Sequence, residues 1–260
     1  VSAPDPDIPP IRVRGLRTAF GEKIIHDDLD LEVRRGEILG VVGGSGSGKS
    51  VLLNTILGLK RPDGGSVQIL GRDIEQDDAK AWVGRHVGVM FQQGALFSSL
   101  TVQENVEAPL IEHACLPLWQ AAEIARLKIR LAGLPATASA LRPSELSGGM
   151  RKRAGVARAL ALDPAILFLD EPTAGLDPIG ASEFDDLIRM LRDALGLTVF
   201  LITHDLDTLY AICNRVAVLA DRKVIAVATV AELERSDHPW IRRYFLGPRG
   251  RAARDAKKGH

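Results

Sequence analysis

The stretch Gly43-Gly44-Ser45-Gly46-Ser47-Gly48-Lys49-Ser50 decides the fold. It fits the pattern of a glycine, four residues, then Gly-Lys-Ser, the signature of a phosphate-binding loop. Ile38–Val42, a short apolar run, enters it, and a helix predicted from Ser50 to Leu57 leaves it. Glycines let main-chain N–H groups turn inward, and the helix start adds unpaired donors at a positive dipole end. Lys49 supplies a point charge for β- and γ-phosphates, and the Ser50 hydroxyl can ligate Mg²⁺. Val51 is the next residue of the binding stretch. A chance match is about a 1% event in a chain of this length, and the strand–helix context makes it rarer.

Outward from the loop, strand and helix patterns alternate. Leu29, Leu31 and Val33 alternate with charges as in a half-buried strand. Ser66–Leu70, Val87–Met90, Ile166–Leu169, Val199–Ile202 and Val216–Leu219 are short apolar runs of buried-strand type. Helical periodicity runs from Glu183 to Leu195. Together these predict an α/β fold with a mostly parallel core. From 93 to 146 the strand signals vanish. Leu118, Ala122, Ala125 and Ile129 recur there at helix spacing, which predicts a helical insert.

Two strand ends carry further chemistry. Ile166–Leu169 runs into Asp170-Glu171, placing two carboxylates at the edge where α/β sites lie. Asp170 fits an Mg²⁺-side carboxylate and Glu171 a residue that polarises attacking water. The plain alternative is a solvated strand end. Val199–Ile202 ends in Thr203-His204-Asp205. Alone, such a histidine is more often structural; beside a phosphate loop it can bond a γ-phosphate or the attacking water. Leu146-Ser-Gly-Gly-Met150 precedes a helical run, with Ser147 suited to cap it. Ser147, Gly148 and Gly149 thus form either an ordinary capped helix or a second anion site that meets nucleotide on another copy.

Composition narrows the classes. With 33 basic and 33 acidic residues the formal charge is zero, which argues against a nucleic-acid binder. The two cysteines, Cys115 and Cys213, fit no zinc or disulfide framework and read as ordinary apolar residues of a reducing compartment. No run is long enough for a membrane helix, and the acidic, proline-rich start does not read as a signal peptide. A cytoplasmic location is expected. Residues 1–10, with four prolines and two aspartates, read as a disordered lead-in. Residues 247–260 read as a basic tail with five Lys/Arg.

The set of phosphate loop, Gln92, Leu146–Met150, Phe168-Leu-Asp-Glu-Pro172, Ala174-Gly-Leu-Asp177 and Thr203-His204 resembles the nucleotide-binding subunit of ABC transporters. The likeness spans roughly 11–235. It implies a P-loop NTPase core of ABC-cassette type with an antiparallel β subdomain and a helical insert. The domain would run over 11–246, with the core in 11–92 and 154–246 and the helical part in 93–153. It implies an ATPase that binds ATP and Mg²⁺, working as a head-to-tail homodimer with an integral membrane permease. In that arrangement Ser147, Gly148 and Gly149 contact the partner's γ-phosphate, and Asp177 crosses the dimer interface. Phe20 takes the place of the aromatic that stacks on adenine, and Gln92 touches Mg²⁺ or water and links the helical insert to the site. The signature ends in Met150 where glutamine is usual, a position not expected to hold phosphate.

Within that family, Gly94–Val106, Leu146–Arg153 and Val218–Val224 resemble the MlaF-type ATPases of MCE lipid transport systems. This implies an MlaE-like permease, an MCE-domain lipid-binding protein, a possible small regulatory subunit, and residence on the cytoplasmic face of a bacterial inner membrane. Phospholipid trafficking is the expected task. A transporter ATPase for another substrate is the alternative. A non-transport cassette is a third class, but such chains typically carry two cassettes or a long coiled-coil insert.

Overall fold

The computed structural model describes residues 8–76, 78–92 and 94–247. In chain order the elements are β1 (Ile11–Phe20), β2 (Lys23–Val33), β3 (Ile38–Gly43), α1 (Lys49–Ile56), β4 (Gly64–Ile69), β5 (Arg72–Asp73), α2 (Ala79–His86) and β6 (Val87–Met90). Then come α3 (Val102–Ala114), α4 (Leu118–Leu131), two short 3₁₀ turns, α5 (Gly148–Ala159), β7 (Ile166–Asp170) and α6 (Pro178–Leu195). The chain ends with β8 (Thr198–Ile202), α7 (Leu206–Ile212), β9 (Arg215–Ala220), β10 (Lys223–Ala228), α8 (Val230–Leu233) and α9 (Pro239–Phe245). By internal contacts the chain divides into two compact units, one running through Val83 and resuming at Phe200, the other Gly84–Val199.

In the first unit β1, β2, β4 and β5 form an antiparallel sheet in the order β2-β1-β4-β5. Val13 faces Leu31 on one side and Val67 on the other, and all three are buried. Strand β1 is absent from the sequence reading. Its apolar positions alternate with Arg12, Arg14 and Arg17, but the β1–β2 register shifts between Val13 and Leu16 and between Leu16 and Thr18. Such bulges break the period of two that marks a strand. Beyond this sheet, β3 pairs in parallel with β9, setting Gly40 against Val216 and Val42 against Val218, and β9 pairs antiparallel with β10. Of the expected lead-in, residues 1–7 lie outside the described residues. Pro10 is buried and its carbonyl accepts from the Leu70 N–H at 2.8 Å. Residues 248–260 of the expected tail also lie outside the described residues.

In the second unit β6 pairs in parallel with β7, setting Met90 opposite Leu169. Helices α3, α4 and α5 pack together beside them, so the segment without strand signals is helical. The buried face of α4 differs from the predicted stripe. Ala121, Ala125, Lys128 and Ile129 are buried, whereas Leu118 is 71% exposed. The buried Lys128 pairs with Asp163, so a charged residue stands where an apolar one was sought. Helix α6 starts at Pro178, earlier than the predicted Glu183, because Asp177 caps it through Oδ1 and the Gly180 N–H at 2.9 Å. Cys115 is exposed at the end of α3 with φ 52°, so it is not a packed apolar residue; Cys213 is half-buried.

Candidate functional site

The phosphate loop joins β3 to α1 in the first unit. Gly48 sits at the N-cap of α1 with φ 99°, and no side chain caps the helix start. A Cβ at Gly48 would lie 2.5 Å from His26 Nε2 and 2.7 Å from Ile25 Cγ2, so both the left-handed backbone and the close approach require glycine. The open first turn offers main-chain donors to an anion. Lys49 Nζ folds back on the loop, donating to the carbonyls of Gly43 at 2.8 Å and Gly44 at 3.2 Å.

Gly46, Ser47, Gly48, Lys49, Ser50 and Val51 line an open cleft of about 470 Å³, and Phe20 lines it too. The Phe20 ring is 58% exposed, with Lys60 Nζ 5.0 Å above it. An exposed aromatic ring of this kind offers a π-face on which a flat base can stack. Gly43, Gly44 and Ser45 complete the loop, and Ser50 is exposed.

Beneath the loop lies a buried histidine that the sequence reading passed over. His26 Nδ1 pairs with Thr18 Oγ1 at 2.7 Å, and Nε2 is packed toward Gly48 without a hydrogen bond of its own. Burial pushes the imidazole down to about 4, the Gly48 backbone offsetting part of this.

His204 is exposed, just ahead of α7. Its carbonyl accepts from Tyr244 Oη at 3.3 Å. Tyr244 stacks on Trp240, with centroids 4.9 Å apart and planes 12° apart. A Cβ at Gly44 would lie 3.8 Å from Trp240 Nε1. Helix α9 thus carries two aromatic rings from the phosphate loop to the His204 turn. Nothing in the local sequence announces this, because the contacts join residues far apart in the chain.

In the second unit Asp170 ends β7 and Glu171 follows at φ 49°, a left-handed conformation unusual for glutamate. Both are half-exposed. Ser147 caps α5, its Oγ accepting from the Met150 N–H at 3.2 Å. Ser147 and Gly148 are exposed, and Leu176 lies beside the signature glycines, 3.8 Å from a Cβ at Gly148 and 4.0 Å from one at Gly149. Asp177, next along, is exposed and spends Oδ1 on capping α6.

Gln92 and Glu171 are brought together by Lys152, which the sequence reading did not single out. Its ammonium donates to the Gln92 carbonyl and, at 3.2 Å, to the Glu171 carbonyl. Burial lowers the Lys152 pKa, while Glu171 and then Asp170 pull it back up.

The profile of the ABC transporter family matches residues 26–174. The chain is 38% identical over 239 residues to the intermembrane phospholipid transport system ATP-binding protein MlaF of Haemophilus influenzae, covering 91% of this chain and 90% of that protein. It is 37% identical over 241 residues to a probable ribonucleotide transport ATP-binding protein, Mkl of Mycobacterium leprae, covering 92% of this chain and 69% of that protein. Among solved structures, the dimeric structure of MJ0796, a bacterial ABC transporter cassette, superposes with a TM-score of 0.76 at 32% identity. It covers 84% of this chain and 98% of that one.

Proposed function

Since the chain belongs to the ABC transporter family as its ATP-binding and ATP-hydrolysing subunit, we propose that it powers lipid movement across a bacterial envelope. The observation that carries the lipid assignment is the 38% identity to MlaF over 91% of the chain. The likeness of Gly94–Val106 and Leu146–Arg153 to MlaF-type sequences supports it. On this reading the chain docks on an MlaE-like permease that serves an MCE-domain lipid-binding protein, with a small regulatory subunit as a further partner. It sits at the cytoplasmic face of the inner membrane, and among the described residues no helix is long and apolar enough to cross it.

Each site residue receives a role from its chemistry. Phe20 stacks on adenine. Gly43–Val51 wraps the phosphates, and Lys49 leaves the Gly43 and Gly44 carbonyls for phosphate oxygens. Ser50, Asp170 and Gln92 offer the hard oxygen donors that suit Mg²⁺, which when bound neutralises phosphate charge. Glu171 polarises the attacking water, and His204 bonds the γ-phosphate or that water. Ser147, Gly148 and Gly149 close over ATP held by a second copy, with Asp177 at the dimer interface. Support for the shared arrangement is the exposed start of α5 at Ser147 and Gly148, a glycine-rich helix N-terminus of the kind that suits an anion, with no phosphate loop of its own.

A second reading is a different cargo. The 37% identity to Mkl, whose name carries ribonucleotide transport, favours it. Affinity capture of the tagged chain from detergent-solubilised membranes, followed by mass spectrometry, separates the two. Recovery of a permease together with an MCE-domain protein supports lipid transport; recovery of a permease with a soluble solute-binding protein supports the other cargo.

A further inference from the structure

Lys152 lies in α5, three residues beyond Gly149, so about 4.5 Å along the helix axis separates it from the signature glycines. It is 8% exposed, yet it carries an ammonium. A lysine is held that deep only when its donors are used. Two of them are given to main-chain carbonyls 60 and 19 positions away, those of Gln92 and Glu171. Both acceptors are main-chain atoms of residues given roles at the nucleotide, Gln92 among the Mg²⁺ donors and Glu171 at the attacking water. Glu171 stands at φ 49°, a conformation that a non-glycine residue keeps only when its surroundings enforce it. The bond to its carbonyl is one such restraint.

Helix α5 therefore makes two kinds of contact close to its start. Its first turn presents Ser147 and Gly148 outward. One turn later it grips the main chain at Gln92 and Glu171. A helix moves as a rod, so a displacement of its start is felt at Lys152.

We infer that Lys152 is a positioning residue that couples the two nucleotide sites of the assembled pair. It ties the helix that closes over the second copy's ATP to the main-chain carbonyls that set Gln92 and Glu171 for the ATP of its own chain. The inference rests on the shared-site reading above. Lys152 touches no substrate; it acts through the two carbonyls.

The test compares the full chain with Lys152→Met, which keeps the stem and removes the donors, and with Lys152→Arg, which keeps charge and donors. Three quantities are read: kcat and KM for ATP, the Hill coefficient, and the affinity for AMP-PNP by equilibrium dialysis. Lys152→Met is expected to lose at least tenfold in kcat and to drop its Hill coefficient toward 1, with AMP-PNP affinity within twofold of wild type. Lys152→Arg is expected to keep kcat within about threefold and to stay cooperative. If Lys152→Met does not fold, Lys152→Leu, which also lacks donors, carries the same comparison. Wild-type kcat and cooperativity in Lys152→Met overturn the inference. So does loss of AMP-PNP binding in step with kcat in both variants, which marks general damage. A wild-type Hill coefficient of 1 leaves no coupling for Lys152 to carry and also overturns the inference, whereas the shared-site reading fails separately, if phosphate-loop and signature variants do not complement each other.

Discussion

The Tyr244 hydroxyl donates to the main-chain carbonyl of His204 across 3.3 Å, so the last described helix holds the turn that presents the histidine. Tyr244→Phe removes this bond and leaves the stack on Trp240 in place. Loss of one hydrogen bond of about 1 kcal/mol is expected to lower kcat about fivefold, with KM for ATP unchanged. Steady-state kinetics read it. A raised KM at unchanged kcat would contradict the assignment of His204 to the chemical step.

Trp240 reports on the phosphate loop from the other side. The chain has three tryptophans, so replacing Trp82 and Trp119 with phenylalanine leaves Trp240 as the only indole emitter. Its packing beside Gly44 predicts that saturating ATP changes its emission. An unchanged spectrum, with binding shown independently by dialysis, would mean that the loop does not move against α9.

His26 sets a pH dependence. Its folded-state pKa is about 4 against an ordinary 6.5, so below 6.5 the unfolded chain takes up a proton that the folded chain refuses. The histidine's contribution is complete above pH 6.5 and is lost as pH falls toward 4, by at most about 3 to 4 kcal/mol at about 1.36 kcal/mol per unit. His26→Leu lacks the titrating group. The stability difference between it and wild type is expected to shift in favour of the leucine variant as pH falls from 7 to 4.5. Denaturant melts over that range check this; parallel curves would refute it.

Asn105 is fully buried and holds the loop before α3, accepting from the Phe97 N–H at 2.7 Å while its amide NH2 is shared among the carbonyls of Phe97, Leu100 and Thr101. Asn105→Ala strands these groups and is expected to destabilise the protein by about 2–3 kcal/mol. Urea unfolding measures it. A change below about 0.5 kcal/mol would show that the loop is held by other contacts.

How far the sequence carries a reader depends on the distance over which each feature is written. The phosphate loop, the entry of β7 into Asp170-Glu171 and the cap at Ser147 are local: a few neighbouring residues set glycine geometry, strand burial or a helix start. The start of α6 is also local, but its signal is the Asp177-Pro178 cap and not apolar period, which begins only near Phe184. Strand β1 was hidden by bulges. The grip of Lys152 on Gln92 and Glu171, the bridge from Trp240 through Tyr244 to His204, and the pairing of Thr18 with His26 were not legible. Each depends on which side chains the fold brings together, and a Lys beside two arginines in α5 reads by itself as a solvated charge run.

The central claim, a nucleotide site completed by a second copy, is tested most directly by complementation. Lys49→Ala disables the phosphate loop, and Ser147→Arg blocks the signature helix. Each variant alone is expected to be inactive. If the phosphate loop of one chain works with the signature of the other, a mixed pair contains one intact site. An equimolar mixture is then expected to recover up to about a quarter of wild-type ATPase activity, the value for random pairing. A mixture no more active than the sum of the two separate variants would contradict the shared site.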